Sequence, residues 1–309
     1  MNIWLGSNLS PTQHASAVTI GNFDGVHSGH LHILQRLKNE AIHRGLQSVV
    51  VIFEPQPNEF FARQHHRSPI ARLTPLRDKL QLLQQSQCVD EVYVLRFNHQ
   101  FAQMPASSFI QTILRERLNT RYLLVGDDFR FGQARTGDFD LLRRQPDFIT
   151  ERTPSILIAG ERASSTAVRQ ALNTGRLDQA RQILGHDYQL SGRVKHGKKL
   201  GRTLGSPTAN IHLPPHHYAL HGVFVVEATS PWGKHQGVAN FGSNPTVEQT
   251  HSPKLEVHLL DFQGNLYGKR LSINFLHKLR DEQKFASLEK LVQQIHADMD
   301  AARNWWADA

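Results

Sequence analysis

The stretch that decides the fold of the first half is Val18–His32, VTIGNFDGVHSGHLH. It begins as an apolar run, passes through glycines and small polar residues, and continues into an amphipathic helical pattern. Such a strand–turn–helix junction is where an open parallel sheet binds ligands, because the helix start offers free backbone amides to an anion. His27 and His30 lie three residues apart in this junction, so they point to the same side once the chain turns helically.

The histidines allow three interpretations, namely packing, metal binding and phosphate chemistry. A zinc site of His27, His30 and His32 is disfavoured, because no cysteine lies near and no carboxylate stands at a recognised ligand spacing. A single histidine would be typical of packing. A pair inside a glycine-rich strand–helix turn instead favours nucleotide chemistry, in which the imidazoles donate hydrogen bonds to a phosphate.

Strand and helix patterns alternate through the first half of the chain. The apolar runs SAVTIG, SVVVIF, VDEVYVL and RYLLVG predict buried strands. Helical patterns separate them, including LTPLRDKLQLLQQS, PASSFIQTILRERL and a helix that is predicted to end at Gly45. That helix carries an apolar stripe of Leu31, Leu34, Leu37, Ala41 and Ile42. This alternation predicts an α/β domain with a mostly parallel sheet covered by helices on both faces.

The second half has a different pattern, and we place the domain boundary between residues 185 and 186. Strand patterns follow one another without helices at QLSGRVKHG, GVFVVEATS, HQGVANFG, KLEVHLLDF and LYGKRLSINFL. They predict a small antiparallel β-barrel or sandwich. The chain then continues into the amphipathic pattern SLEKLVQQIHADMDAARNWW, which predicts a helix with Ser287 as its N-cap.

The composition excludes several classes of protein. The 309 residues are 39% hydrophobic and 20% charged, as in globular domains. No apolar run is long enough to span a membrane, no secretory signal pattern begins the chain, and Cys88 is the single cysteine, so we expect a cytoplasmic protein without membrane association. The net charge of +8 is spread over both halves, which argues against nucleic acid as the partner and suits a small anionic substrate.

A phosphate-loop pattern in the second half fails on inspection. Gly192–Lys199, GRVKHGKK, nearly satisfies the phosphate-loop motif, but Lys199 replaces the hydroxyl that would bind magnesium. The segment also continues into turn residues rather than into the helix that the motif requires. A Walker-type ATPase is therefore rejected.

The first half resembles the bacterial FAD synthetases, a family of nucleotidylyltransferases. The resemblance is carried by GNFDGVHSGH, FEPQP, ARLTPLRDKL, VGDDFRFGQARTGD and SSTAVRQAL. It implies a Rossmann-like domain in which His27 and His30 stabilise charge on the reacting phosphate rather than act as nucleophiles. The residues expected to bind ATP are Gly21, Asn22, Phe23, Asp24, Gly25, Asp128, Ser164, Ser165 and Arg169. The residues expected to wall the flavin ring are Pro55, Pro57, Phe61 and Phe131.

The second half resembles the riboflavin kinases. The similarity begins at SGRVKHGKKLGRTLGSPTANI and continues through GVANFGSNPTV, LEVHLLDF and KLRDEQKFASLEKL. It implies that Thr208 and Asn210 bind Mg²⁺ and nucleotide, and that Glu256 is the catalytic base that takes the proton of the ribityl 5′-hydroxyl. The residues expected to surround the nucleotide are Gly192, Gly197, Lys198, Gly201, Arg202, Gly205, Thr208 and Asn210. Without this resemblance, a lone Glu256 in an apolar strand would be interpreted as a solvated residue.

Two residues depart from the kinase pattern: Ser206 stands where the family usually has Phe, and Asn244 where it usually has Arg. The metal ligands and the base are retained, so we expect kinase activity.

The resemblance as a whole implies a bifunctional enzyme that converts riboflavin to FMN and FMN to FAD, with ATP as co-substrate and Mg²⁺ as cofactor. We expect a monomer or a weak homo-oligomer. A nucleotidylyltransferase for another substrate, an RNA-binding protein and a flavin-binding module without turnover are the alternatives.

Overall fold

The computed structural model describes residues 1–6, 12, 14–154, 156–158, 160–196, 208–243 and 253–309. They divide into two compact units. The first unit comprises Met1–Ile70 and Lys79–Ala163, and the second comprises Ala71–Asp78 and Ser164–Ala309. The functional boundary between residues 185 and 186 stays a prediction, because compact packing and function need not divide a chain at the same residue.

The first unit is built on a parallel sheet with the strand order β1-β4-β3-β2-β5-β6. Its strands are β1 (Asn2–Leu5), β2 (Ser16–Ile20), β3 (Gln47–Glu54), β4 (Glu91–Arg96), β5 (Thr120–Gly126) and β6 (Ile149–Thr153). The helices of this part of the chain are α1 (Ser28–Arg44), α2 (Pro57–Gln64), α3 (Leu76–Gln85), α4 (His99–Ala102), α5 (Ala106–Phe109) and α6 (Phe139–Arg143). A π-helical segment, Ile110–Arg117, continues α5, and a short antiparallel pair, β7 (Leu157–Ile158) and β8 (Glu161–Arg162), follows β6.

Apolar side chains cover both faces of this sheet, as predicted for strands buried on both sides. Val18, Val49 and Leu123 belong to a cluster that packs on one face with residues of α5 and the π-helical segment. Ala17 and Leu124 alternate with them and pack on the other face with residues of α1. The predicted fold class of the first half is confirmed.

Helix α1 shows where the apolar pattern was accurate and where it failed. Gly45 ends the helix with φ of 65°, in the left-handed region that favours glycine. Leu34, Leu37 and Ala41 are buried as predicted. Ile42 is 69% exposed, so its assignment to the buried stripe was wrong. It lies next to Ala41 in sequence, about 100° further around the helix axis, and therefore faces solvent.

The second unit contains a closed antiparallel barrel with the strand order β10-β13-β12-β11-β14-β9, in which β9 also pairs with β10. Its strands are β9 (Tyr188–Lys195), β10 (Ala209–His212), β11 (Gly222–Ser230), β12 (Gly233–Ser243), β13 (Pro253–Leu259) and β14 (Arg270–Arg280). Its helices after residue 163 are α7 (Ser165–Asn173), α8 (Leu177–Leu184) and α9 (Leu288–Asp308). The barrel is confirmed over the sandwich, and Ser287 caps α9 by accepting a hydrogen bond from the Lys290 amide.

A short segment from early in the sequence, Ala71–Asp78, packs within the second unit. The Arg72 amide donates to the His217 carbonyl, and the Tyr188 hydroxyl donates to the Leu73 carbonyl. The carboxylate of Asp78 accepts hydrogen bonds from both the amide and the hydroxyl of Ser191, at 2.9 and 2.5 Å. The pairing of β10 with β9 ends at Arg193. Asp78 therefore supplies the hydrogen-bond partner of Ser191 at a position that β10 does not reach.

Candidate active sites

The predicted residues of the first unit lie at the carboxyl ends of three neighbouring strands. Strand β2 lies between β3 and β5, and the chain order reverses at β2, because β3 and β4 lie on one side of it and β5 and β6 on the other. Loops that follow β2, β3 and β5 therefore meet at one edge of the sheet. The crevice at such a reversal is the usual ligand site of an open α/β sheet.

The loop after β2 holds an unusual backbone conformation. Phe23 and Val26 have φ of 47° and 42°, and Gly25 between them has φ of 83°. A positive φ costs a residue with a Cβ atom about 1–3 kcal/mol. Phe23 and Val26 tolerate it because their side chains are 2% and 1% exposed, so burial stabilises the conformation. Strain of this kind is concentrated at binding and catalytic sites.

The two histidines at the end of this loop form a stacked pair. His27 is the N-cap of α1, and its Nδ1 accepts a hydrogen bond from the His30 amide at 3.4 Å. The ring centroids of His27 and His30 are 3.7 Å apart with an interplanar angle of 23°. A side chain on Gly29 would lie 3.1 Å from the His27 ring, which explains the glycine between them. The imidazoles thus share one side of the helix start.

The surroundings of His30 disfavour its charged form. Burial holds the pKa of His30 well below its ordinary value, and the nearby His27 and Lys79 lower it further. Its Nδ1 atom is buried and, among the described residues, has no hydrogen-bond partner. A neutral imidazole can still donate one hydrogen bond. The pair therefore offers hydrogen-bonding capacity next to a helix N-terminus, which is a suitable environment for a phosphate.

The remaining first-unit residues predicted to bind ATP differ in exposure. Asp24 is buried, at 2% exposed, whereas Gly21 and Asn22 are half-buried. Asp128 follows β5 at the same sheet edge, and its side chain is 79% exposed. One carboxylate oxygen of Asp128 lies 3.7 Å from a guanidinium nitrogen of Arg162. Asp128 is therefore accessible to a ligand at this edge.

Two of the four residues predicted to wall the flavin, Phe61 and Phe131, belong to a continuous row of aromatic rings. Phe61 is 41% exposed and lies 5.8 Å from Phe97, measured between ring centroids. The row continues through Phe101 and Phe109 to Phe131, with centroid distances of 5.6, 6.1 and 5.3 Å. Phe131 is 7% exposed and packs against Phe109 at the end of the row, and its assignment to the flavin wall stays a prediction. Pro57 opens α2, and Pro55 precedes it in the loop after β3.

Ser164, Ser165 and Arg169 lie on or beside α7 and belong to the second compact unit. Ser164 is the N-cap of α7 and accepts a hydrogen bond from the Ala167 amide at 3.2 Å. The Arg169 guanidinium donates to the Ala71 carbonyl. Ser164 and Arg169 thus have structural partners, and the assignment of these three residues to ATP stays a prediction.

The barrel places Glu256 in a row of polar residues that crosses four strands. Asn210 on β10 and Asn240 on β12 are its direct cross-strand partners, and Lys195 on β9 is opposite Asn210. The row lies on the outer face, because Leu255 and Val257 alternate with Glu256 and are 1% and 0% exposed inside the barrel. Two residues that the resemblance links to one reaction, Asn210 and Glu256, are therefore neighbours in space.

Glu256 is held by an ion pair. Its Oε2 lies 2.9 Å from Lys254 Nζ, and its side chain is 26% exposed. Thr208, which is exposed, precedes β10 by one residue, and it lies two positions before Asn210 in an extended segment. Alternate residues of an extended chain point to the same side, and Asn210 brings an oxygen-bearing side chain directly opposite Glu256.

The other predicted nucleotide residues of the barrel divide into two groups. Gly192 lies on β9, where an added Cβ would be 2.4 Å from the His212 carbonyl oxygen. The close approach of the two strands therefore explains a glycine at position 192 without reference to a nucleotide. The residues that lie outside the described part of the chain are Gly197, Lys198, Gly201, Arg202, Ser206, Gly205 and Asn244.

Sequence reasoning missed Lys195, Asn240 and Lys254. Each occupies an outward position of a strand, and the sequence does not show which residues of other strands lie opposite them.

Within the described residues, no group of three or more His, Cys, Asp or Glu side chains is arranged to hold a metal ion. None of the described helices combines the length and apolar character needed to cross a bilayer.

Comparison with known proteins extends over both halves. Residues 9–167 match the family model described as FAD synthetase, and residues 184–306 match the one described as riboflavin kinase. The bifunctional riboflavin kinase/FMN adenylyltransferase of Pseudomonas fluorescens is 45% identical, over 96% of this chain and 94% of that protein. The protein with the same name from Escherichia coli K12 is 46% identical, over 97% and 96% respectively.

A solved structure from Streptococcus pneumoniae, described as a macrolide-efflux protein, has a TM-score of 0.80 and 29% sequence identity. The match covers 96% of both chains. The description as an efflux protein belongs to that protein, and the likeness concerns the fold of the whole chain.

Proposed function

The chain belongs to the family of bifunctional riboflavin kinases/FMN adenylyltransferases, and we propose that its two reactions are divided between the row around Glu256 and the loop of His27 and His30. The enzyme phosphorylates riboflavin with ATP to give FMN, and it adenylylates FMN with a second ATP to give FAD and pyrophosphate. We further propose that the functional boundary lies between residues 185 and 186.

The kinase reaction is assigned to the barrel. Glu256 accepts the proton of the ribityl 5′-hydroxyl while that oxygen attacks the γ-phosphate of ATP, and ADP leaves. The single observation that carries this assignment is the direct opposition of Glu256 and Asn210 on neighbouring strands. It brings a half-buried carboxylate next to an amide that the family resemblance links to nucleotide. Lys254, 2.9 Å from Glu256, keeps the carboxylate oriented.

The adenylyl transfer is assigned to the sheet edge of the first unit. A phosphate oxygen of FMN attacks the α-phosphate of ATP, the new P–O bond forms, and the bond to the leaving pyrophosphate breaks. His27 and His30 donate hydrogen bonds to the phosphate on which charge develops, and the free amides at the start of α1 add to this stabilisation. The same proposal keeps Gly21–Gly25, Asp128, Ser164, Ser165 and Arg169 as ATP-binding residues.

Magnesium fits the donor chemistry of the barrel site. Thr208 and Asn210 offer neutral oxygen ligands, and magnesium commonly combines few protein ligands with substrate phosphates. Bound magnesium would neutralise phosphate charge during the transfer. We propose Thr208 and Asn210 as its protein ligands.

We also propose that the protein is cytoplasmic and acts as a monomer or weak homo-oligomer. We propose no nucleic acid or membrane partner for it.

Two variants test the division of labour. The protein is incubated with riboflavin, ATP and Mg²⁺, and the flavins are separated by chromatography. We expect FMN and FAD from the wild type, no FMN from Glu256→Ala, and retained FAD formation by that variant when FMN is supplied. His30→Ala should accumulate FMN and form little FAD. If either folded variant loses both reactions, the assignment of one reaction to each site is wrong.

A further inference from the structure

Asn240, on strand β12, carries a buried acceptor for which the described residues provide no donor. Its Oδ1 atom is buried and has no hydrogen-bond partner among them. An unsatisfied buried polar atom lowers stability by about as much as a lost hydrogen bond is worth. Such an atom in a native fold calls for an explanation, and a ligand that supplies the missing donor is one.

The strand register shows what faces Asn240. Its cross-strand partner on β11 is Val223, and its partner on β13 is Glu256. Val223 is apolar and 4% exposed, so it offers no hydrogen bond. An ionised Glu256 is only an acceptor. The amide oxygen of Asn240 and the carboxylate of Glu256 are therefore two acceptors on directly opposed residues, whose Cβ atoms are about 4.5–5.5 Å apart in such pairs.

Two opposed acceptors suit a ligand that brings two donors on neighbouring atoms. We infer that Asn240 is a substrate-binding residue of the kinase site, and that it accepts a hydrogen bond from the hydroxyl next to the one that is phosphorylated. The substrate class is thus a chain that ends in a 1,2-diol. This inference rests on the proposed function, because it takes Glu256 as the base for the terminal hydroxyl.

The two residues then have separate tasks in the reaction. The terminal hydroxyl gives its proton to Glu256 as its oxygen forms the new bond to the γ-phosphorus, and the bond from that phosphorus to the ADP oxygen breaks. The neighbouring hydroxyl keeps its proton and remains bonded to Asn240. Because this second bond fixes the rotation of the chain's last carbon–carbon bond, it directs the terminal oxygen towards the phosphate.

A cycle between residue and substrate tests the contact. The kcat/KM of phosphorylation is measured for the wild type and for Asn240→Ala. Each protein is assayed with riboflavin and with 4′-deoxyriboflavin, which lacks the neighbouring hydroxyl. The wild type should prefer riboflavin by about tenfold or more, since the analogue leaves the buried acceptor without a donor. In Asn240→Ala this preference should fall to within about twofold, because the partner of the hydroxyl is gone.

Asn274 provides the matched control. It is also an asparagine on an outward position of the barrel, but its amide oxygen accepts a hydrogen bond from Gln189 at 2.7 Å. Asn274→Ala should keep the wild-type preference for riboflavin. Circular dichroism and urea unfolding report whether the barrel of each variant is folded.

The outcomes separate the inference from the proposed function. If Asn240→Ala slows both substrates by the same factor, or leaves both unchanged, the contact with the neighbouring hydroxyl is refuted while the role of Glu256 stands. If folded Glu256→Ala still forms FMN at the wild-type rate, the proposed kinase site itself is refuted, whatever Asn240 does.

Discussion

Asn210 and Glu256 lie directly opposite each other on the neighbouring antiparallel strands β10 and β13. They are 46 positions apart in the chain, 256 minus 210, and the pairing of β10 with β13 brings them together. Proximity of this kind makes Asn210 a suitable ligand for a magnesium ion that also contacts the phosphate being transferred.

Replacement of Asn210 by alanine should therefore change the metal dependence of one reaction. We expect Asn210→Ala to raise the Mg²⁺ concentration needed for half-maximal FMN formation by about ten- to a hundredfold, the range found when support of a metal is removed. The Mg²⁺ dependence of FAD formation from supplied FMN should not change. Asn274→Ala is the control, and equal shifts in both reactions would contradict a site-specific role for Asn210.

His30 should make the stability of the first unit sensitive to acid. Its folded-state pKa is lowered by burial, His27 and Lys79, so the unfolded chain binds a proton at higher pH than the folded chain does. The resulting stability is fully present above the unfolded value near 6.5 and is lost as the pH falls through the folded pKa. The slope in that window is at most about 1.4 kcal/mol per pH unit.

Urea unfolding between about pH 5 and about pH 8 checks this expectation. His30→Asn should flatten the acid side of the profile, because asparagine does not titrate. His32→Asn is the matched control, since His32 is exposed on the same helix. A His30→Asn profile that parallels the wild type would show that the acid sensitivity arises elsewhere.

Much of the fold followed from local patterns. The four strands with apolar runs were predicted because burial on both faces makes most of their positions apolar. Strand β6, ITERT, was missed since four of its five residues are polar or charged. Strand β1, NIWL, was missed because it is a four-residue strand with every residue exposed. Neither edge strand carries the periodicity on which the predictions depended.

The residues of the candidate sites also differ in whether the local sequence could identify them. His27 and His30 were found because they lie close in sequence within one recognisable loop. Asn240 and Lys254 were not found, since their relation to Glu256 depends on strand register. The assignment of Ala71–Asp78 to the second unit was equally hidden, because its contacts with Tyr188 and Ser191 join residues more than a hundred positions apart.

Asp78 should contribute to the stability of the second unit. Its carboxylate accepts both hydrogen bonds that Ser191 donates, and Asp78 is 3% exposed. In Asp78→Ala the Ser191 amide and hydroxyl lose these partners, and we expect the free energy of unfolding to fall by about 1–3 kcal/mol. Asp300→Ala, which removes a carboxylate that is 74% exposed, should change it by less than about 0.5 kcal/mol.

Denaturant unfolding of the two variants and the wild type measures these differences. Equal stability of Asp78→Ala and Asp300→Ala would mean that Ser191 finds other partners. A loss of stability without loss of either activity at low temperature would assign Asp78 a purely structural role.

Phe61 should contribute to FMN binding in the first unit. Its ring is 41% exposed at one end of the aromatic row, and Phe97 supports it at 5.8 Å. A flavin ring stacked there would gain about 0.5–1.5 kcal/mol from the aromatic contact beyond simple burial. Phe61→Ala should therefore raise the KM for FMN in FAD formation by about three- to tenfold, with a smaller change in kcat because no reacting atom is touched. FMN formation from riboflavin should remain at the wild-type rate.

Trp4→Ala is the matched control, since Trp4 is a similarly exposed aromatic residue, at 38%, that stacks on Tyr93. If both variants raise the KM for FMN equally, the effect reflects general loosening of the sheet and not a flavin contact at Phe61.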